Sequence, residues 1–116
     1  MKTRKRNSGN TPWEIIFLSL LSKEDMYGSQ MYNELKALSN GELSITTGAM
    51  YIILYKMADN GYIEYYEKNA GRRRTVVYYR LTKEGSEKLR ELLKAFREQV
   101  IAVEKLMSIC GAVPEN

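Results

Sequence analysis

The strongest constraint on this sequence is a run of apolar residues near its C-terminus. Leu89, Leu93, Phe96, Val100, Val103, Met107 and Cys110 follow one another at spacings that alternate between four and three. That is the a/d seam of a heptad pattern sustained over three repeats. Leu92 and Leu106 widen the stripe, and Thr82 stands ready as a cap. The pattern predicts one helix from about Lys83 to Ile109. At about 1.5 Å per residue it is ~40 Å long. A chain of 116 residues makes a single domain, and this helix overruns it. Its outer end needs another apolar surface, and a second copy of the chain is the simplest source.

Three shorter helices are expected ahead of it. Thr11-Pro12-Trp13-Glu14 reads as a helix start, with Thr11 capping, Pro12 in the first turn and Glu14 completing a capping box. The first helix then runs to about Ser22. Its Trp13, Ile15, Ile16, Phe17, Leu18, Leu20 and Leu21 are apolar on nearly all sides, so it should be buried on more than one face. One face can pack on its own domain, and the other calls for a second subunit or a ligand. A second helix is expected over about Tyr27–Leu38, with Tyr27, Met31, Leu35 and Leu38 on one face. Ser39-Asn40-Gly41 stops it. After a short extended link, Leu43 to Ile45, Thr46 or Thr47 caps a third helix that runs to about Asn60. Met50, Ile53, Leu54 and Met57 are its buried stripe, and Gly61 ends it. The methionines, Met26 and Met31 among them, read as core or interface filler.

A hairpin follows. Tyr62–Glu67 and Thr75–Leu81 are rich in Tyr, Val and Ile, which favour strands. Alternation puts Ile63 and Tyr65, and Val77, Tyr79 and Leu81, on the inward faces, with Tyr78 and Arg80 outward. The connecting loop ends in Arg72-Arg73-Arg74.

The net charge of +4 is unevenly spread. The first ten residues hold Lys2, Arg4, Lys5 and Arg6, no acid and almost no apolar content, and read as a disordered basic arm. Residues 64–83 hold Lys68, Arg72, Arg73, Arg74, Arg80 and Lys83 against Glu64 and Glu67. Between these islands, residues 11–63 carry six acids and only three lysines. Two basic islands on a neutral body suggest a polyanionic partner.

Other classes drop out. There is no histidine, so imidazole bases, imidazole triads and His metal ligands are excluded. One cysteine, Cys110, forms neither an intrachain disulfide nor a zinc site; it reads as a packed thiol at the end of the seam and suits a reducing cytosol. The apolar run of the first helix carries Glu14 at its entrance and no cleavage site after it, so it is not read as a signal peptide. No run approaches the roughly 18 apolar residues of a membrane span. No cofactor is expected, and an enzyme is not.

Three helices and then a hairpin is the order of a winged helix-turn-helix. The second and third helices form the helix-turn-helix, and the hairpin is the wing. The third helix opens with Thr46-Thr47-Gly48-Ala49-Met50-Tyr51: hydroxyls, small residues for close approach, and a helix N-terminus that favours phosphate. Such a helix enters the major groove by that end. Arg72, Arg73 and Arg74 at the wing tip suit a phosphate backbone or a narrow minor groove. Lys56 lies on the polar side of the third helix, as a phosphate ligand or a solvated lysine. The candidate DNA-binding residues are therefore Thr46, Thr47, Gly48, Tyr51, Lys56, Arg72, Arg73 and Arg74.

The same blocks resemble the PadR family of transcriptional regulators. They are Tyr27-Gly28, Gly48-Ala49-Met50-Tyr51, Leu54, Met57, Asn60-Gly61-Tyr62-Ile63, Gly71-Arg72-Arg73-Arg74 and Tyr78-Tyr79-Arg80-Leu81-Thr82-Lys83-Glu84-Gly85. The last block, an aromatic pair running into Arg-Leu-Thr-x-x-Gly, is the most specific. Departures from the family pattern are Ser29 after Gly28, Met50 for the usual Leu, and Ile52 for the common Pro. The resemblance implies the short subfamily with one dimerisation helix. It also implies a cytoplasmic homodimer on operator DNA, a repressor released by a small hydrophobic or aromatic effector. The fold class expected is α+β, mainly α. Residues 1–10 form the arm, 11–82 the winged helix, 83–110 the dimerisation helix and 111–116 a tail. Trp13, Phe17, Leu89, Leu93, Phe96, Val100, Val103 and Met107 are the expected dimer surface and possible effector site. The alternative is a winged-helix module that binds protein and no operator.

Overall fold

A computed structural model describes residues 11–111. The basic arm and the last five residues lie outside the described residues. Helix α1 spans Trp13–Lys23, strand β1 Met26–Tyr27, α2 Gly28–Leu38, α3 Thr47–Asp59, β2 Ile63–Asn69, β3 Thr75–Leu81 and α4 Lys83–Cys110. Every helix and both hairpin strands stand within about two residues of the sequence expectation. The unforeseen element is β1, which adds to β3 and makes a three-stranded antiparallel sheet in the order β1-β3-β2. Two residues are too few to show a period. What makes them a strand is pairing, Met26 with Tyr79 and Tyr27 with Tyr78.

The core explains the order of elements. Phe17 and Leu18 from α1, Met26, Met31, Met50, Leu54 and Met57 from β1, α2 and α3, and Ile63 from β2 are all essentially inaccessible. Four of these eight are methionines, whose flexible thioethers fill the irregular gap between three helices and a twisted sheet. Each such side chain stabilises the fold by about 1.5–3 kcal/mol relative to exposure. The apolar surround of α1 is thus largely used inside the protomer, including Phe17, which stacks on half-buried Trp13 at 5.8 Å between ring centroids.

The local starts and stops follow the expected chemistry with one exception. Thr46 Oγ1 accepts from the Ala49 amide at 3.1 Å, and Thr82 Oγ1 accepts from the Gly85 amide at 2.9 Å. The expected capping box at α1 does not form. Pro12 occupies the cap position without a side-chain bond, and Thr11 contributes its backbone carbonyl to the Trp13 amide at 2.8 Å. At the base of the wing, the Thr82 hydroxyl also donates to the Gly61 carbonyl at 2.6 Å, tying the end of β3 to the end of α3. Gly85 lets α4 approach this corner, because a Cβ there would strike the Tyr62 carbonyl oxygen.

Helix α4 is 28 residues long, and only its first turns have a partner. Leu89 is buried, and Leu92 and Leu93 pack at the margin of the core. From Phe96 onward every residue is exposed, with Val103 at 46% and Ile109 at 75%. Cys110, at the end of the seam, is exposed too in the single protomer. The radius of gyration is 17.0 Å, against about 13 Å for a compact chain of about 100 residues, and the projecting helix is the reason.

Candidate nucleic-acid interface

The amino turn of α3 is open. Thr46, Thr47 and Gly48 are exposed, and a Cβ added to Gly48 would meet nothing. Buried Met50, Leu54 and Met57 pin the opposite side of the helix to the core. The solvent face is Thr47, Gly48, Ile52, Tyr55, Lys56 and Asp59. Lys56 stands on this face as expected. Tyr51 does not; it is half-buried and turned toward α2. Gly28 makes room for it, since a Cβ at that position would strike the Tyr51 hydroxyl. Tyr51 therefore sets the spacing of the two helices of the helix-turn-helix. Its ring also holds that of Tyr55, 6.1 Å away and tilted by 36°. Ile52 and Tyr55 stand on this face without being among the residues expected to bind DNA. Ile52 falls outside the buried stripe expected for this helix, and it is 69% exposed.

The wing has a stiff base and an uncommitted tip. Tyr66 and Tyr78 pair across β2 and β3 and stack at 5.8 Å. Arg80 lies over the Tyr66 ring at 4.8 Å and bonds to Glu64 at 3.0 Å, while Lys68 lies over Tyr78 at 4.9 Å. The Tyr66 hydroxyl donates to Asp25 at 2.6 Å, fastening the wing to the start of β1. That carboxylate bond is the main reason the Tyr66 pKa is raised. The inward face is shorter than alternation suggested. Ile63 and Tyr79 reach the core, but Tyr65 and Val77 are exposed, because the hairpin runs out past the edge of the helical layer. Burial pushes the Tyr79 hydroxyl up to about 12, with Tyr55, Tyr51 and Tyr65 adding to the shift.

Arg72, Arg73 and Arg74 sit at the tip, all exposed. The turn closes with the Arg74 amide donating to the Gly71 carbonyl at 2.8 Å, and Arg73 takes a left-handed backbone with φ of 54°. Among the described residues no carboxylate pairs with any of the three, in contrast to Arg80. Between β3 and the starts of α2 and α3 lies an open crevice of about 310 Å³, lined by Tyr27, Gly28, Ser29, Tyr51 and Tyr55 together with Val76, Val77 and Tyr79 of β3. The predicted DNA-binding residues thus fall on the start and solvent face of α3 and on the wing tip, and of them Tyr51 lines this crevice. The predicted dimer residues divide differently. Phe96, Val100, Val103 and Met107 form the open part of the α4 seam and Leu93 stands half-buried at its start, whereas Phe17 and Leu89 belong to the protomer's own core. Among the described residues no group of His, Cys, Asp and Glu could hold a metal, and no helix is long and apolar enough to cross a membrane.

Helix-turn-helix, hairpin and projecting helix together define a winged helix regulator. The profile of the transcriptional regulator PadR-like family matches residues 17–91. The chain belongs to that family, whose members are regulators and not enzymes. Solved structures agree. A transcriptional regulator from Clostridium thermocellum is 25% identical, covers 79% of this chain and 86% of its own, and superposes with a TM-score of 0.73. A PadR-like transcription factor from Bacteroides fragilis is 26% identical over 81% of this chain and 88% of its own, with a TM-score of 0.70. Bacillus subtilis PadR, solved in complex with operator DNA, is 24% identical over 71% of this chain and 46% of its own, with a TM-score of 0.65. No curated protein sequence matches significantly.

Proposed function

We propose that the chain acts as a homodimer that binds operator DNA as a repressor and is released by a small hydrophobic molecule. The observation that carries this reading is the wing tip, where Arg72, Arg73 and Arg74 are exposed and no carboxylate among the described residues pairs with them. A recognition helix in the major groove and a basic wing beside it leave one sugar-phosphate strand between them. Thr46, Thr47 and Gly48 take the backbone at the helix start, with Lys56 on the same helix. Arg72, Arg73 and Arg74 supply the charge-dependent part of the affinity. Tyr51 acts through Tyr55 and the helix spacing. The basic arm adds non-specific attraction.

The α4 seam supplies the dimer. Leu93, Phe96, Val100, Val103 and Met107 recur along one stripe with charged residues between them, the pattern of a helix that packs on a second helix. Half-buried Trp13 stands on α1, the helix that packs on α4, and so reports on any small molecule bound between them. The test is a footprint with the full chain on the region upstream of its own gene. It should protect a pseudo-palindrome whose half-sites lie about one helical turn, or a multiple, apart. Planar aromatic compounds that quench Trp13 should also weaken the footprint. No protected site would favour a protein-binding module; quenching without loss of protection would remove the effector from the account.

A further inference from the structure

We propose that Ile52 reads the 5-methyl group of a thymine in the major groove, which makes it a specificity-determining residue of this chain. The inference rests on the DNA-binding reading above and goes beyond it by naming the base. Isolated apolar side chains on a protein surface are ordinary. Ile52 differs in its neighbours. Gly48, Ile52, Tyr55 and Asp59 follow at spacings of four, three and four, a single line along the solvent face of α3. Ile52 lies one turn inside the open amino end, and it is 69% exposed while Tyr55 is 56% exposed. Gly48, one turn earlier, leaves space for close approach. Tyr55 is steadied by Tyr51 and borders the crevice toward the wing. The face therefore borders β3 of the wing, where Val76 and Val77 follow shortly after the three arginines in sequence, whereas the apolar seam on α4 is a separate surface.

The chemistry of the face selects the ligand. Readout of guanine and adenine uses Arg, Lys, Asn or Gln, and of these Lys56 alone stands on the solvent face of α3. Lys56 and Asp59 are nearer the carboxyl end, away from the end that enters the groove. What the middle of the face offers is a branched hydrocarbon and a phenol. The apolar feature that a base pair presents in the major groove is the thymine methyl. An isoleucine at this position gains by covering it and gains nothing from the amino group of cytosine.

The experiment uses the full chain and a duplex selected by it from a random-sequence pool. Each thymine of the half-site is replaced in turn by deoxyuridine, which lacks only the methyl. At one thymine, or two adjacent ones, the affinity should fall about threefold to fivefold, the effect of uncovering one methyl-sized group. The ratio should be the same at two salt concentrations, since the replacement leaves every phosphate as it was. Ile52→Ala should bind the thymine duplex more weakly and no longer distinguish it from the deoxyuridine duplex. Its thermal midpoint should match wild type, because the side chain is outside the core. Three results would overturn the assignment: a selected site with no thymine in the half-site, indifference of wild type to every replacement, or discrimination retained by Ile52→Ala. A pool that yields no bound sequence at all would overturn the DNA-binding reading itself, and this inference with it.

Discussion

The seam of α4 and the solvent face of α3 both leave large apolar side chains in water, and they do so in different ways. On α4 the exposed residues recur for several turns, from Phe96 and Val100 to Val103 and Met107, and charged pairs such as Lys94 with Glu98 lie alongside. On α3 there are two, Ile52 and Tyr55, set among Thr47, Gly48 and Lys56. A long stripe has enough area for another helix to cover and too regular a period for a groove of bases. A short patch with hydroxyls and a bare glycine beside an arginine wing has too little area for a protein interface and suits a narrow, polar surface. Exposure alone does not separate these roles; extent, period and neighbouring charge do.

The largest expected effect breaks the α4 side of this contrast. Val100→Asp with Val103→Asp should convert the dimer to a folded monomer, seen by light scattering, because neither residue is needed by the protomer core. Loss of the second half-site should cost on the order of a hundredfold in operator affinity, as expected when two linked binding units are separated. A dimer that persists would show that α4 faces something else. A smaller effect sharpens the α3 side. Gly28→Ala drives a Cβ into Tyr51, so the ring must move and carry Tyr55 with it. A loss of about 1–3 kcal/mol in unfolding free energy is expected. Operator affinity should fall further than that of a surface variant of equal stability. The smallest effect shows only at high pH. The Tyr79 hydroxyl is raised by burial to about 12 from an ordinary 10.0. The stability tied to its neutral form is complete below pH 10 and is lost as pH climbs through about 12. Tyr79→Phe should lose less stability than wild type between pH 8 and pH 11, measured as the shift of the urea midpoint.

Much of this molecule is legible in its sequence. Helix lengths follow from apolar periods, caps from Thr46 and Thr82, and the hairpin from Tyr- and Val-rich runs around a turn. What is not legible depends on packing between distant segments. Strand β1 exists because Met26 and Tyr27 find β3. Thr11 loses its cap because Pro12 takes the position. Phe17 and Tyr51 read as surface contributors, yet one is absorbed by the core and the other is docked on Gly28. Ile52 carries the reverse lesson: its hydrophobicity argues for burial, and its phase on the helix, fixed by Met50, Leu54 and Met57, turns it outward.

On the proposed reading, the unpaired wing arginines and the open face of α3 meet one DNA duplex. Affinity for the footprinted duplex, measured by fluorescence anisotropy across a salt series, tests it most directly. Wild type should give a straight line of log affinity against log salt. The variant with Arg72, Arg73 and Arg74 all changed to Ala should bind more weakly, with a slope shallower by about 0.9 for each phosphate that the arginines no longer neutralise. Equal slopes and equal affinities for the two proteins would contradict the account.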